Sequence, residues 1–408
     1  MGEGSSGAVW FGASGFTTLA VYELGDELVV EIETTATVVG CHGCGVRAVT
    51  KDRRWVAVRD APVGDRPVVL RWRKRVWSCS DPDCQVRTWT EQRPDLVEPR
   101  RLLTTREGRW ACSRVRALEG TPASCARTLG VSWPTVWSAV REHGCRLVDD
   151  PGRVGLTEMV GFDETVMQPA HRRRRRLFVT VAVDVVTGQI IDVFEGRDAA
   201  DLRAWLASQP SEWRQAVEVI SVDPHEGYRS AITGNPLLGE VTVVVDPFHI
   251  VRLANQAVTR TRQRVQREVL GHRGRQADPL YGCRKLLLMG AEHVDERGWR
   301  RIERALRDGD PRGEVQDAWV AKEYVRDVYL TEDPDQAREA LQRAVDWCTA
   351  PEATRELRTL AKTLTRWSDE ILAHHATGAS NGKVEAGNLL IKQVKRAGRG
   401  FRNLSNFR

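Results

Sequence analysis

Hydrophobic and polar positions change period several times along this chain, and each change predicts a change of element. Between about residues 157 and 250, short apolar runs alternate with amphipathic stretches. "EMVGFDETVM" reads as a strand carrying Asp163, and "RRLFVTVAVDVVTGQIIDVFEG" as a hairpin turning at Thr187-Gly188. "DAADLRAWLASQ" has the period of an amphipathic helix. The runs Val217–Val222 and Val241–Val245 are mostly apolar and rich in Val and Ile, as strands covered on both faces tend to be. Each run leads to an aspartate, Asp223 or Asp246, and then to a helix. Two antiparallel strands followed by β-α-β-α units predict a mixed α/β sheet with helices on both sides.

On either side of this core the texture differs. From about 271 to 375 the pattern is helical, in "RGWRRIERALRDG", "VQDAWVAKEYVRDVYL", "PDQAREALQRAVDWCTA" and "ATRELRTLAKTLTRWSDEILAHH". Trp299, Trp319, Trp347 and Trp367 recur there at apolar positions and read mostly as core. Upstream, "ASCARTLGVSWPTVWSAVREHG" (123–144) has a short apolar helix and a turn at Gly130. Val131 is the plug, and Ser132 caps a second helix with Pro134 in its first turn. That is a helix-turn-helix pattern, and it predicts Trp133, Thr135, Ser138 and Arg141 facing DNA. "VVLRWRKRVWS" reads as an alternating strand whose Arg71, Arg73, Lys74 and Arg75, interleaved with Trp72 and Trp77, suit phosphate contact with stacking. The first forty residues show no usable motif.

Length and charge narrow the class. A chain of 408 residues, 41% hydrophobic and 28% charged, predicts a soluble protein of two to four domains. No apolar run is long enough to span a bilayer, and the N-terminus lacks the positive region of a secretory signal, so a cytoplasmic protein is expected. The net charge of +6 is unevenly spread, with basic clusters at 41–127, after Thr259 and from Asn381 onward. Separate basic clusters suit several surfaces touching one polyanionic backbone.

The nine cysteines include two pairs, Cys41-x2-Cys44 and Cys79-x4-Cys84, with Gly43, Gly45 and Pro82 supplying turns. Two such knuckles predict one structural Zn²⁺ held by four thiolates, with His42 a bystander. In the core, Asp223 and Asp246 leave apolar strands at the carboxyl edge where chemistry gathers in open α/β sheets, and Asp163 lies in a strand that can run beside them. Converging carboxylates call for a divalent cation, Mg²⁺ or Mn²⁺. Two ions about 3.5–4 Å apart would clamp the attacking and leaving oxygens of a phosphodiester displacement. In "SNGKVEAGNLLIK" (380–392) a lone Glu385 opens a basic helix capped by Ser380 or Asn381. The helical period predicts a buried stripe of Ala386, Leu390, Val394 and Ala397, with Glu385, Asn388, Lys392 and Arg396 opposite. Glu385 is then the last metal ligand, at the head of a ladder of cations that neutralise phosphates.

Taken together, "CHGCG…CSDPDC", the helix-turn-helix, "GFDE", "SVDPHEGYR", "VVDPFHIVRLAN" and "SNGKVEAGNLLIKQVKRAGRGFRNLSNFR" resemble a DDE transposase of the ISL-three family of bacterial insertion sequences. The resemblance covers nearly the whole chain from about Cys41. It implies an RNase H-like catalytic core whose metal-binding triad is Asp163, Asp223 and Glu385, with an all-α insertion between Asp246 and Glu385. Asp246 and His249 match a D-x-x-H signature near the active site of related transposases, which implies a supporting role. The expected organisation is a multidomain α/β chain: 1–40 unassigned, 41–95 zinc module, 100–150 helix-turn-helix, 156–270 first part of the core, 271–375 all-α insertion and 376–408 C-terminal core helix. The implied reaction is metal-dependent cleavage of double-stranded DNA at terminal inverted repeats and strand transfer into target DNA, by a homodimer or higher oligomer at the bacterial nucleoid. Two alternatives remain at this point: a catalytically silent, domesticated DNA-binding protein, and an RNase H-like nuclease without strand transfer. The presence of all three acids disfavours the first, and the zinc and helix-turn-helix modules disfavour the second.

Overall fold

The computed structural model describes residues 14–64, 66–169, 175–398, 401 and 404–407. The stretch read for a secretory signal (1–13), and positions 399–400, 402–403 and 408 of the closing basic motif, lie outside them. The chain divides into two units, Met1–Arg153 and Val154–Arg408.

The first unit begins with a five-stranded sheet of β1 (Phe16–Leu24), β2 (Glu27–Thr34), β3 (Ala48–Val63), β4 (Arg66–Cys79) and β5 (Thr88–Thr90). Its order is β1-β2-β4-β3, with β5 also paired to β4. β1 and β2 belong to the stretch that had shown no motif. Phe16, Val30, Ile32, Val58, Leu70 and Trp72 form the core of this sheet.

Because β4 is central, the reading of Lys74 and Arg75 as phosphate contacts is corrected, while Arg71 and Arg73 keep partly exposed side chains. Trp72 and Trp77 are enclosed, and Lys74 and Arg75 are buried. Arg71 pairs with Glu31 at 2.7 Å and Arg73 with Glu33 at 2.5 Å. Arg75 donates to the Thr34 carbonyl at 2.9 Å, and the Lys74 ammonium lies 4.0 Å from the Trp72 ring centre. Buried cations need internal partners: Glu33 of β2 supplies one to Arg75 at 3.2 Å, and Gln92 one to Lys74 at 3.4 Å. The exposed cations on this sheet include Lys51 and Arg54 of β3.

Three helices complete the unit: α1 (Thr105–Arg116), α2 (Pro122–Thr128) and α3 (Trp133–Val148). Thr121 and Ser124 form a capping box on α2. Gly130 takes φ +62°, a conformation glycine reaches without steric cost. Ser132 then caps α3 by accepting the Thr135 N–H. Ala111, Cys125, Ala126, Leu129, Val136 and Val140 share one small core, with Val131 packed against it.

The second unit contains β6 (Met159–Gln168), β7 (Leu177–Asp184), β8 (Ile190–Glu195), α4 (Ala199–Ser208), α5 (Ser211–Ala216), β9 (Val219–Val222), α6 (Glu226–Ile232), β10 (Thr242–Val245) and the long α7 (Pro247–Leu270). The sheet order is β10-β9-β6-β7-β8. The first three strands run parallel, and β6-β7-β8 is an antiparallel meander, as the pattern predicted. Successive residues serve opposite faces. Val160, Phe162 and Ala182 pack on Leu202, Trp205 and Tyr228. Val181 and Val183 face the other side, against Val384 and Ile391.

Helices follow: α8 (Pro279–Gly282), α9 (Glu296–Gly309), α10 (Glu314–Asp327), α11 (Pro334–Thr349), α12 (Arg355–Arg366), α13 (Ser368–Thr377) and α14 (Gly382–Ala397). The stretch read as one helix over 353–375 is two, broken at Trp367 (φ −109°, ψ 18°). Trp367 is buried in the helical core, and Trp299, Trp319 and Trp347 pack against it. Among the described residues, no helix is long and apolar enough to cross a membrane.

Candidate active site and zinc centre

The parallel register sets three aspartates level across the sheet. Gly161 pairs with Ser221, so two residues further on Asp163 lies beside Asp223. Val245 pairs with Val222, so Asp246 follows beside Asp223 on the other flank. Along β6 the side chains alternate, and Asp163 shares with Gly161 the face that receives α14.

His249, in the first turn of α7, folds back onto this edge. Its Nδ1 lies 2.7 Å from Asp223 Oδ1 and 3.2 Å from Asp246 Oδ2. Burial alone would lower the imidazole, but the contacts with Asp223 and then Asp246 outweigh it and hold it up to about 9. Burial, and next the Asp223 carboxylate, push the Asp163 carboxyl up to about 6. A charged His249 thus compensates one side of the edge, while Asp163 carries the strain of the other.

α14 is bolted to the same edge from above. The Asn381 N–H donates to Asp246 Oδ1 at 2.9 Å, and its side-chain amide to the Phe162 carbonyl at 3.4 Å. Asn381 is therefore the N-cap residue, but its side chain serves β6 and not the helix. Asn388 donates its amide to Asp163 Oδ2, and Lys395 reaches the Val166 carbonyl at 2.9 Å. The buried face of α14 consists of Val384, Gly387, Asn388 and Ile391. This corrects the expected stripe: Ala386, Leu390 and Ala397 are exposed.

At 3.6 residues per turn, Glu385 lies within about 60° of both Asn381 and Asn388 around the helix axis. It stands exposed on the flank those two residues anchor, followed by exposed Lys392 and Arg396, and none of the three has an ion pair among the described residues. The structure thus brings Asp163, Asp223, Asp246 and His249 together and hangs the Glu385 helix from them. Glu385 itself makes no side-chain contact with the aspartates. Asn388 had no assigned role in the sequence. Its spacing from Glu385, one turn along the same helix, was the available signal.

In the first unit, Trp133 and Arg141 are exposed on α3, and Trp133 stacks on Trp137 with centroids 5.6 Å apart. Thr135 shares its hydroxyl with Ser132, and Ser138 accepts from Arg101 at 3.0 Å.

The two knuckles meet as predicted. The sulfurs of Cys41, Cys44, Cys79 and Cys84 all lie within 4.8 Å of one another, the one such compact group of metal-ligating side chains among the described residues. Backbone N–H groups of Gly43 and Asp81 point at Cys41 and Cys79, each at 3.4 Å. The Gly43 donor leads the effects that bring the Cys41 thiol down to about 7. His42 packs edge-on against Trp89 and stays outside the thiol group. Four soft sulfur donors in a compact tetrad suit a structural Zn²⁺.

A four-thiol module joined to a mixed-sheet core with an acidic edge defines a multidomain α/β protein, and comparison with known proteins gives the family. The profile of the ISL3-type DDE family, described as "Transposase", matches residues 160–408, and that of the "zinc-finger of transposase IS204/IS1001/IS1096/IS1165" matches residues 37–89. The chain belongs to the ISL3 family of transposases. It is also similar to the transposase for insertion sequence element IS1001 of Bordetella parapertussis, with 25% identity over 390 residues, covering 94% of this chain and 90% of that protein.

Proposed function

We propose that this protein binds the ends of an insertion sequence and carries out metal-dependent phosphodiester cleavage and strand transfer, with Asp163, Asp223 and Glu385 as the metal-holding triad. One observation carries the reading. Asp223 directly follows parallel strand β9 and Asp163 lies beside it within β6, and the helix bearing Glu385 is tied to that same Asp163 through Asn388. The donors suit Mg²⁺ or Mn²⁺, because all are hard oxygens, and the buried Oδ1 of Asn388 has no protein partner. When bound, such ions supply charge neutralisation at the scissile phosphate and activation of the attacking oxygen.

The chain's own groups do the rest. His249, itself held by Asp246, pairs with Oδ1 of Asp223 and so positions that carboxylate at the edge. Lys392 and Arg396, following Glu385 along α14, neutralise phosphates beside the scissile one. A water oxygen joins phosphorus at the element end and the 3′-oxygen leaves as a hydroxyl. That hydroxyl oxygen then joins a target phosphorus in line as the target's own 3′-oxygen leaves as a hydroxyl, and no bond to protein forms. The zinc module and the α2–α3 pair, with Trp133 and Arg141 exposed, read the end sequence. Pairing two ends calls for at least a dimer.

The test uses the full chain with a labelled duplex of the element's end, with and without Mg²⁺ or Mn²⁺. Glu385→Gln should abolish nicking at the end and leave binding of the same duplex intact. A Glu385→Gln protein that nicks at the wild-type rate removes Glu385 from the triad.

A further inference from the structure

The insertion carries a surface that the catalytic reading does not use. On α12, Arg355, Arg358, Lys362 and Arg366 recur at i, i+3, i+7 and i+11, which places them within about 80° around the helix. All four are exposed, while Leu357, Leu360, Ala361 and Leu364 fill the helical core on the opposite side. The one acid of α12, Glu356, accepts from Arg264 at 3.0 Å and from Arg355 at 3.1 Å, so it is engaged at the N-terminal end of the stripe, away from Arg358, Lys362 and Arg366. Lys362 has no ion pair among the described residues. Among the described residues Arg358 donates to the Pro351 carbonyl at 2.8 Å and has no ion pair, and Arg366 stands 4.0 Å from Glu226.

The stripe is also placed with respect to the chemistry. It walls a cleft of about 870 Å³ lined by Arg358, Lys362 and Arg366 on one side and by Pro224 and Glu226 on the other. Pro224 directly follows Asp223. The relation between the two walls is fixed, because Arg229 of α6 donates to the Arg366 carbonyl at 3.0 Å, pairs with Glu370 at 2.9 Å and lies over the Trp367 ring at 5.1 Å. On its far side, Arg355 faces a second polar cleft of about 360 Å³, into which Arg260 and Arg267 of α7 also point.

We propose that this face of α12 is a track for the DNA backbone, which it delivers to the Asp223 edge. Long cationic side chains one helical turn apart, ~5.4 Å, can each take a different phosphate of a strand that carries one charge per ~3.4 Å. Contacts of this kind set register and carry no sequence information. The division of labour follows: the first unit reads the end, and the insertion holds its backbone in place for cutting. The inference rests on the transposase reading above.

The experiment compares the full-length wild type with Arg358→Gln/Lys362→Gln, two exposed positions outside the catalytic edge. Anisotropy of a labelled random-sequence duplex is followed from low to physiological salt, with thermal unfolding as the control for folding. Each phosphate contact contributes about 0.9 to the slope of log affinity against log salt, so the double variant should lose about 1.8. It should also nick an element-end duplex more slowly. A double variant with the wild-type slope overturns the track. If the wild type binds and nicks normally in that case, the transposase reading stands. If the wild type neither binds duplex nor nicks it in Mg²⁺, that reading fails and takes the track with it.

Discussion

Asn388 of the C-terminal helix donates its side-chain amide to Oδ2 of Asp163, a residue 225 positions earlier in the chain. Asp163 is mostly buried and its carboxyl is pushed up to about 6, so a donor on this oxygen is worth more than it would be in water. The same bond is one of the ties that hold α14, the helix bearing Glu385, against β6. One contact therefore links Asp163 to the helix of another member of the proposed triad.

Removing the donor should be costly to chemistry and cheap to binding. Asn388→Leu keeps the volume and loses the hydrogen bond, and outer-sphere partners of this kind typically contribute about 10–100-fold in metal affinity or activity. The expected outcome is that loss in end nicking, a weaker response to added Mn²⁺, and unchanged duplex affinity. Nicking at the wild-type rate would remove Asn388 from any positioning role. Asn388→Asp is expected to be worse, since a second carboxylate against Asp163 raises its pKa further and moves activity to higher pH.

Gly161 makes the approach of α14 possible. A Cβ there would meet Val384 Cγ2 at 2.3 Å, Val185 Cγ1 at 2.8 Å and Asn381 Oδ1 at 2.9 Å. Two of these atoms belong to the first turns of α14, so the helix would have to lift from β6. Gly161→Ala should cost about 1–3 kcal/mol, the usual range for overpacking, and should depress nicking beyond what the stability loss explains. Denaturant unfolding with parallel nicking assays tests both. A variant as stable and as active as wild type would mean that α14 does not sit this close in solution.

These two positions show where sequence reading succeeds and where it stops. Asp223 and Asp246 were legible because a charged residue ending a Val-rich run has few bland explanations, and the cysteine pairs because their spacing is itself geometric. The face of α14 was not legible from hydropathy. Leu389 and Leu390 are 57% and 45% exposed, while Gly387 and Asn388 are buried. Packing against β7 selects a small residue, and pairing with Asp163 selects an amide, and an apolar count sees neither. Lys74 and Arg75 misled for a related reason. The partners of Arg75, Glu33 and Thr34, lie about forty residues upstream on β2, a separation that local pattern does not reveal.

The zinc centre gives a prediction independent of catalysis. Purified wild type should carry one Zn²⁺ per chain by elemental analysis, and Cys79→Ser should carry much less. Loss of the ion releases β3, the end of β4 and both knuckles, so specific end binding should fall with it. The helical signal of Val154–Arg408 should persist, because none of its core residues depends on the thiols. A Cys79→Ser protein with full zinc content and full end affinity would contradict the four-thiol assignment.

A last prediction concerns stability and pH in the first unit. Glu107, in the first turn of α1, is fully buried, and neither carboxylate oxygen has a partner. Burial, and then the nearby carboxylate of Asp60, push it up from 4.5 to about 7. The folded state therefore binds this proton more tightly than the unfolded state. The resulting stabilisation is fully present below about 4.5 and is lost as pH rises through about 7, so stability falls with rising pH in that window. The total is on the order of 3 kcal/mol at ~1.4 kcal/mol per pKa unit. Glu107→Gln is neutral and nearly isosteric, and it should remove the dependence. Above pH 7 the variant should unfold at higher temperature than wild type in calorimetry of the full chain, and the gap should close toward pH 4.5. A gap that stays constant across that range would show that Glu107 does not change its charge on folding.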